Sequence, residues 1–139
     1  MLRQASQILS VHPSRAGLHE ITDSVRFWLA ETGIDAGLLT IFCRHTSASL
    51  LIQENAAGSA RRDIERYFAR IAPVGAGYEH DDEGADDMPA HLRAALTQTT
   101  LTVPVAGSKM VLGTWQGIYL FEHRTAAPRR EIALHVIGE

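Results

Sequence analysis

A chain of 139 residues, 45% hydrophobic and 21% charged, has the composition of one globular domain large enough to bury its own core. A net charge of −3 with a pI near 6.1 argues against general affinity for nucleic acid or anionic lipid. No apolar run approaches the ~20 residues that cross a bilayer. The start, MLRQASQILSVHPSR, has no basic region followed by an apolar stretch, so no secretory leader is expected. The lone Cys43 fits a reducing compartment, and a cytoplasmic protein without nucleic-acid or membrane partners is the expectation.

In chain order, residues 2–11 (LRQASQILSV) alternate weakly and lack large apolar side chains, which suits an edge strand. Leu18, Ile21, Val25, Trp28 and Leu29 then recur at helical spacing, and Gly33 supplies the stop. Residues 37–45 (GLLTIFCRH) form a nearly continuous apolar run, hence a central strand. SLLIQEN (49–55) is its candidate partner across the bend TSA. Asn55 suits the N-cap of a helix over 57–71, with Ile64, Tyr67, Phe68 and Ile71 as its buried stripe. The stretch 73–87 is a loop. Asp87-Met88-Pro89 reads as an N-cap with Pro in the first turn of the short helix AHLRAAL. Strands follow at 100–105, 109–113, 114–123 and 131–137, with Pro104 marking an edge or bulge. Strands outnumber crossover helices, so the predicted class is α+β: a single compact domain with a mostly antiparallel, β-sandwich-like sheet and flanking helices.

Seven histidines are present. His12, His19 and His135 read as surface or structural residues. His45, His80, His91 and His123 stand at strand ends or around the acidic loop, where a sheet fixes side chains that solvent still reaches. Three imidazoles and a water make an open, catalytic type of zinc site. None of the spacings is a short metal motif, so the residues alone favour scattered, non-ligand histidines.

Six of the 16 acidic residues fall in YEHDDEGADDMPAH (78–91). The order required of an EF-hand is not met, which excludes that calcium site. A solvated charge run is the ordinary reading. Against it stands the mixing of His with Asp and Glu around Gly84, where Glu83, Asp86 and Asp87 are placed for acid–base work or for orienting ligands. HTSAS offers small hydroxyl-bearing side chains suited to a phosphate or carboxylate. Arg124, Arg129 and Arg130 can grip a phosphate in pairs, although arginines near a turn usually lie in solvent. Cys43 reads as buried and inert.

Together, HTSASLLIQEN, YEHDDEGADDMPAHL and GTWQGIYLFEHR resemble the signature blocks of the YjbQ family (UPF0047), and the match runs to the terminal EIALHVIGE. The resemblance implies a sandwich-like α+β domain that assembles as a homotrimer. It also implies a weak, secondary thiamine-phosphate synthase activity, and in some members a bound divalent metal such as zinc, with magnesium as the alternative. The family's histidines and acids fall on His45, His80, Glu83, Asp86, Asp87, His91, Glu122 and His123.

On that footing His45, His91 and His123 are expected to hold the metal. His80, Glu83 and Asp87 would move protons or orient ligands, and Ser47, Ser49 and Arg124 would contact a small phosphorylated metabolite. The implied reaction joins a pyrimidine-methyl diphosphate to a thiazole phosphate, and its leaving charge must be neutralised. Two alternatives accompany it: a metal-assisted hydrolase or phosphoryl enzyme, and a non-catalytic module that binds a metal or phosphometabolite.

Overall fold

The chain alternates between two antiparallel sheets in the computed structural model, which describes residues 1–75 and 77–139. Its elements are β1 (Arg3–Val11), β2 (Gly17–Glu20), α1 (Thr22–Thr32), β3 (Gly37–Cys43), β4 (Ala48–Glu54), α2 (Gly58–Ile71), α3 (Asp87–Leu96), β5 (Thr100–Ala106), β6 (Lys109–Met110), β7 (Gln116–Glu122) and β8 (Arg130–Gly138). One sheet has the order β1-β8-β3-β5-β6 and the other β2-β7-β4. The expected α+β, sandwich-like class holds.

Period two explains the layering. Leu39 and Ile41 of β3, with Leu134 and Val136 of β8, turn inward from the larger sheet. They meet Leu50 of β4 and Ile118 and Leu120 of β7, and Val25 and Leu29 of α1 join the same core. The other face of β7 carries Tyr119 and Phe121, which pack with Leu18 against Ile64 and Phe68 of α2. The Phe68 ring meets Phe121 edge-on at 5.3 Å. The smaller sheet is thus covered on both faces. The outer face of the larger sheet leaves Ile8, Leu38, Phe42 and Ile137 exposed.

Several expectations are corrected. Residues 17–20 form a strand paired with β7, so the helix begins at Thr22, after Ile21. Leu18 serves the small cluster under α2 even though its spacing mimics a helical stripe. β4 pairs with β7 and β3 with β8 and β5, so the two strands around the bend lie in different sheets. Asn55 donates to Glu20, and Ala57 holds the N-cap position of α2. Tyr67 and Ile71 are exposed, because only the Ile64–Phe68 side of α2 faces the sheet. The strand expected at 109–113 ends at Met110, and β7 begins at Gln116, after the exposed Trp115. Asp87 is the first helical residue of α3, preceded by Asp86 at the cap position. Gly33 does close α1 in the left-handed conformation (φ 70°). Pro104 lies opposite Leu38, and its carbonyl accepts from Val111 N–H on the outer side, where a missing donor does no harm.

The bend 44–47 carries the chain from one sheet to the other. Register places Cys43 opposite Ile132 and Ala48 opposite Glu122. The end of β3, the start of β4, the end of β7 and the start of β8 therefore gather at one end of the molecule. α3 meets that end through His91, which bonds to Thr46.

Candidate functional site

Gly84 lets the acidic loop fold back on itself. Its φ of 105° is open to glycine and strained for other residues. The Gly84 carbonyl accepts from Asp87 N–H at 3.2 Å, and α3 then runs on from Asp87. Asp87 thus sits in the first turn of a helix, where the positive end of the dipole favours a carboxylate. It is 3% exposed.

Three donors meet there. His80 Nε2 lies 3.0 Å and His91 Nε2 3.2 Å from the same Asp87 oxygen, Oδ2. Helical spacing explains the second contact, because residues 87 and 91 are four apart on one face of α3. One atom from each of His80, Asp87 and His91 lies within 4.8 Å of the others, and this group is able to hold a metal ion. His80, Asp82 and Glu83 form a second, exposed group by the same test. His80 also lines a cavity of about 270 Å³ beside Gly84 and Met88, so the first group is open to solvent.

Hydrogen-bond roles sharpen the chemistry. His91 Nδ1 lies 3.0 Å from the carbonyl oxygen of Thr46. A carbonyl only accepts, so Nδ1 carries the hydrogen. The neutral ring then turns its Nε2 lone pair toward an anionic carboxylate oxygen 3.2 Å away. Two acceptors at that distance repel unless a cation stands between them. That cation is either a proton, making the ring imidazolium, or a metal ion. An imidazole anchored by its far nitrogen to a carbonyl is how proteins orient metal-binding histidines.

Electrostatics agree. The hydrogen bond to Asp87 leads the causes that raise the His80 pKa, with Asp82 and Glu83 adding to it. Burial pushes the Asp87 carboxyl upward, but His91, His80 and Arg124 together outweigh it and hold the pKa below the usual value. Arg124 clasps the loop from the end of β7: Nη1 donates to Asp87 Oδ1 at 2.8 Å, Nε to Asp86 Oδ2 at 3.1 Å, and Nη2 to the Glu83 carbonyl at 3.0 Å. Asp86, desolvated yet bonded by Thr125 and Arg124, is brought down to about 2.

A buried pair lies behind this group. Arg130 donates from Nε to Glu122 Oε1 and from Nη2 to Oε2, both at 2.6 Å, and Nη2 also reaches Ser47 Oγ at 2.9 Å. Glu122 and Arg130 are both buried. His123, next in line, is 2% exposed. Its Nε2 shares a hydrogen bond with Ser49 Oγ at 2.9 Å, and Nδ1 is buried without a partner among the described residues.

Of the residues expected at the site, His80, Asp87 and His91 converge, and Glu83 reaches His80 at 3.1 Å. His45 and His123 belong to neither convergent group. His45 Nε2 accepts from Glu131 N–H at 2.8 Å, and His123 is held inside by Ser49. Ser49 is fully buried and Arg124 is engaged by the acidic loop, while Ser47 is tied to Arg130. The Thr46 carbonyl was not legible in the sequence, since a backbone acceptor leaves no residue signature. Arg130 was visible only as one of several arginines near a turn.

The profile of the family described as "UPF0047 protein YjbQ-like" matches residues 7–139. A UPF0047 protein from Synechocystis is 44% identical over 138 residues, covering 99% of this chain and 94% of that protein. The UPF0047 protein YjbQ of Escherichia coli O157:H7 is 42% identical over 132 residues, covering 94% and 96%. Among solved structures, a YbjQ-like protein of unknown function from Sulfolobus solfataricus superposes with a TM-score of 0.92 at 26% identity over the whole of both chains. A hypothetical protein from Aeropyrum pernix gives 0.83 at 27% identity, covering 99% of each.

Proposed function

The chain belongs to the YjbQ-like UPF0047 family, and from that membership and the His80–Asp87–His91 group we propose a metal-dependent enzyme acting on a small phosphorylated metabolite. The carrying observation is the anchored His91 ring, whose Nε2 faces a carboxylate oxygen across a gap that needs a cation. Two imidazole nitrogens and one carboxylate oxygen favour zinc, with magnesium the poorer match to nitrogen donors.

A divalent ion held there would supply positive charge to a leaving diphosphate or a polarised oxygen. The chain's own residues do the rest. Asp87 keeps its negative charge because Arg124 holds its other oxygen. His80, bonded to both Glu83 and Asp87, is the group placed to move a proton at the solvent-facing side. The reaction to assay first is the thiamine-phosphate-forming transfer that the family resemblance implies. Hydrolysis of a phosphorylated compound is the neighbouring chemistry that the same group supports, and a binding module without turnover is the outcome if neither proceeds.

The exposed Leu38, Phe42 and Ile137 are suited to cover by further copies of the chain, which accords with the homotrimer that the resemblance implies, and a single, buried cysteine accords with a reducing, cytoplasmic setting. Among the described residues no helix is long and apolar enough to cross a membrane.

Metal analysis of the purified chain tests the reading directly. About one equivalent of a divalent transition metal is expected per chain. His91→Ala and Asp87→Asn should each weaken its binding by roughly 100-fold or more, as ligand loss does, while His123→Leu leaves it in place. Binding should also weaken at low pH, because His80 must shed its proton to ligate. Metal retained by His80→Ala/His91→Ala at wild-type affinity would rule the site out.

A further inference from the structure

A second cleft opens on the far side of the 44–47 bend. It is a groove open to solvent with a volume of about 590 Å³, within the range of small-molecule sites, and Arg44, His45, Thr46, Thr99 and Arg130 are among its lining. No carboxylate is in the lining. Phe42, Cys43 and Ser47 complete the lining, and its two charged side chains, Arg44 and Arg130, are both cations. Arg130 is 3% exposed, and four hydrogen bonds run from its Nε and Nη2 to Glu122 and Ser47. Nη1 is the guanidinium nitrogen left without an acceptor among the described residues. His45 accepts at Nε2 from Glu131 N–H, so the hydrogen of its neutral ring is on Nδ1, which has no partner among the described residues. Thr46 and Thr99 are exposed, their hydroxyls have no partner among the described residues, and Arg44 adds a cation that pairs with Glu131 at 3.3 Å.

We propose that this cleft is an oxyanion subsite that takes the phosphoryl group of the substrate, with Arg130 and His45 as its fixed donors. Arg130 is held rigid by a buried carboxylate, so little side-chain freedom is lost when an anion binds. Donors come from three separate segments, the start of β8, the bend and the residue before β5, and a phosphoryl group offers an oxygen to each.

Position completes the assignment. His45, Thr46 and Thr99 also line a smaller cavity of about 230 Å³, and His91 lines it too. A molecule anchored by its phosphate in the first cleft can therefore extend past His45 toward the His80–Asp87–His91 group. As a substrate subsite the assignment rests on the function proposed above, whereas the anion contact can be measured without any metal.

The test is titration of inorganic phosphate into the metal-free full-length chain, followed by phosphorus-31 line broadening and by the side-chain nitrogen resonances of Arg130 and His45. Saturable binding with shifts at both residues is expected. Arg44→Glu, an exposed change that keeps the core, should weaken it about tenfold. Replacing the buried pair together, as Arg130→Met/Glu122→Met, should abolish it, with the thermal midpoint showing whether the fold survives. His80→Ala, which keeps the His91 bond to the bend, should leave phosphate affinity unchanged. Phosphate that fails to saturate, or whose affinity follows His80→Ala and ignores Arg44→Glu, overturns the subsite. Saturable binding at Arg130 in a chain that never takes up metal would uphold it while refuting the metal-dependent reading.

Discussion

The ring of His123 is kept neutral by its surroundings. Burial strips it of water, Arg93 and Arg130 repel its charged form, and its pKa falls to about 3. Unfolded, the same ring titrates near 6.5. Between those values the unfolded chain binds the extra proton, so stability drops as pH falls through the window, by up to about 1.4 kcal/mol per pH unit. His123→Leu removes that slope and keeps the apolar contact with Phe121. Urea midpoints from pH 6.5 to 4.5 should therefore flatten in the variant, and an unchanged slope would assign the acid sensitivity elsewhere. His80 has the opposite sign. Its pKa is raised, chiefly by Asp87, so whatever it adds is present at low pH and lost as pH rises through the folded value. Asp86 acts only in strong acid, because a carboxyl held near 2 loses its stabilising charge below about pH 4.

At the scale of elements, the end of β7 and the start of β8 are joined by a buried ion pair beside the apolar core that Leu120 and Ile132 share. Glu122 and Arg130 meet at 2.6 Å inside the protein. Breaking one side of such a pair strands the other, so Glu122→Gln should destabilise the fold by roughly 3–5 kcal/mol, whereas Arg130→Met/Glu122→Met should sit close to wild type. Denaturant unfolding of the two variants checks this. If both lose equally, the pair's geometry is not what holds the strands. The same elements show what sequence could convey. β3, β7 and β8 were legible because each is a long apolar run, and Gly33 marked the end of α1. β2 was hidden, since Leu18 and Ile21 share a spacing that helix and strand both tolerate over four residues. The partner of β4 was hidden too, because a bend of four residues does not reveal whether the chain returns to the same sheet. His80, Asp87 and His91 could be picked out as chemistry-bearing residues, but their grouping depended on where Gly84 turned the loop. His45 and His123 have the same residue type at similar strand ends, and only burial and the backbone of Glu131 separate them from the group.

For the molecule as a whole, helix cover is uneven. α2 shields the outside of the smaller sheet, while the larger sheet presents Leu38 and Phe42, each 45% exposed, to solvent. Apolar side chains on a sheet face are ordinarily covered. In sedimentation equilibrium the 15.2 kDa chain should behave as a trimer, and Leu38→Glu/Phe42→Glu should shift it to monomers. A wild-type chain that sediments as a monomer would remove the proposed assembly. The bend at 44–47 has a different reach. Thr46 gives its carbonyl to His91 and also lines the oxyanion cleft. Two ligands that each restrain the same four residues share one ordering cost, and whichever arrives first lowers it for the second. Such coupling is reciprocal: the factor by which phosphate tightens the divalent ion must equal the factor by which the ion tightens phosphate. Measuring both titrations with and without the other ligand closes that cycle. Equal factors above one would make the bend a thermodynamic lever between anchoring a substrate and arming the group that acts on it, and a factor of one would make it only a wall.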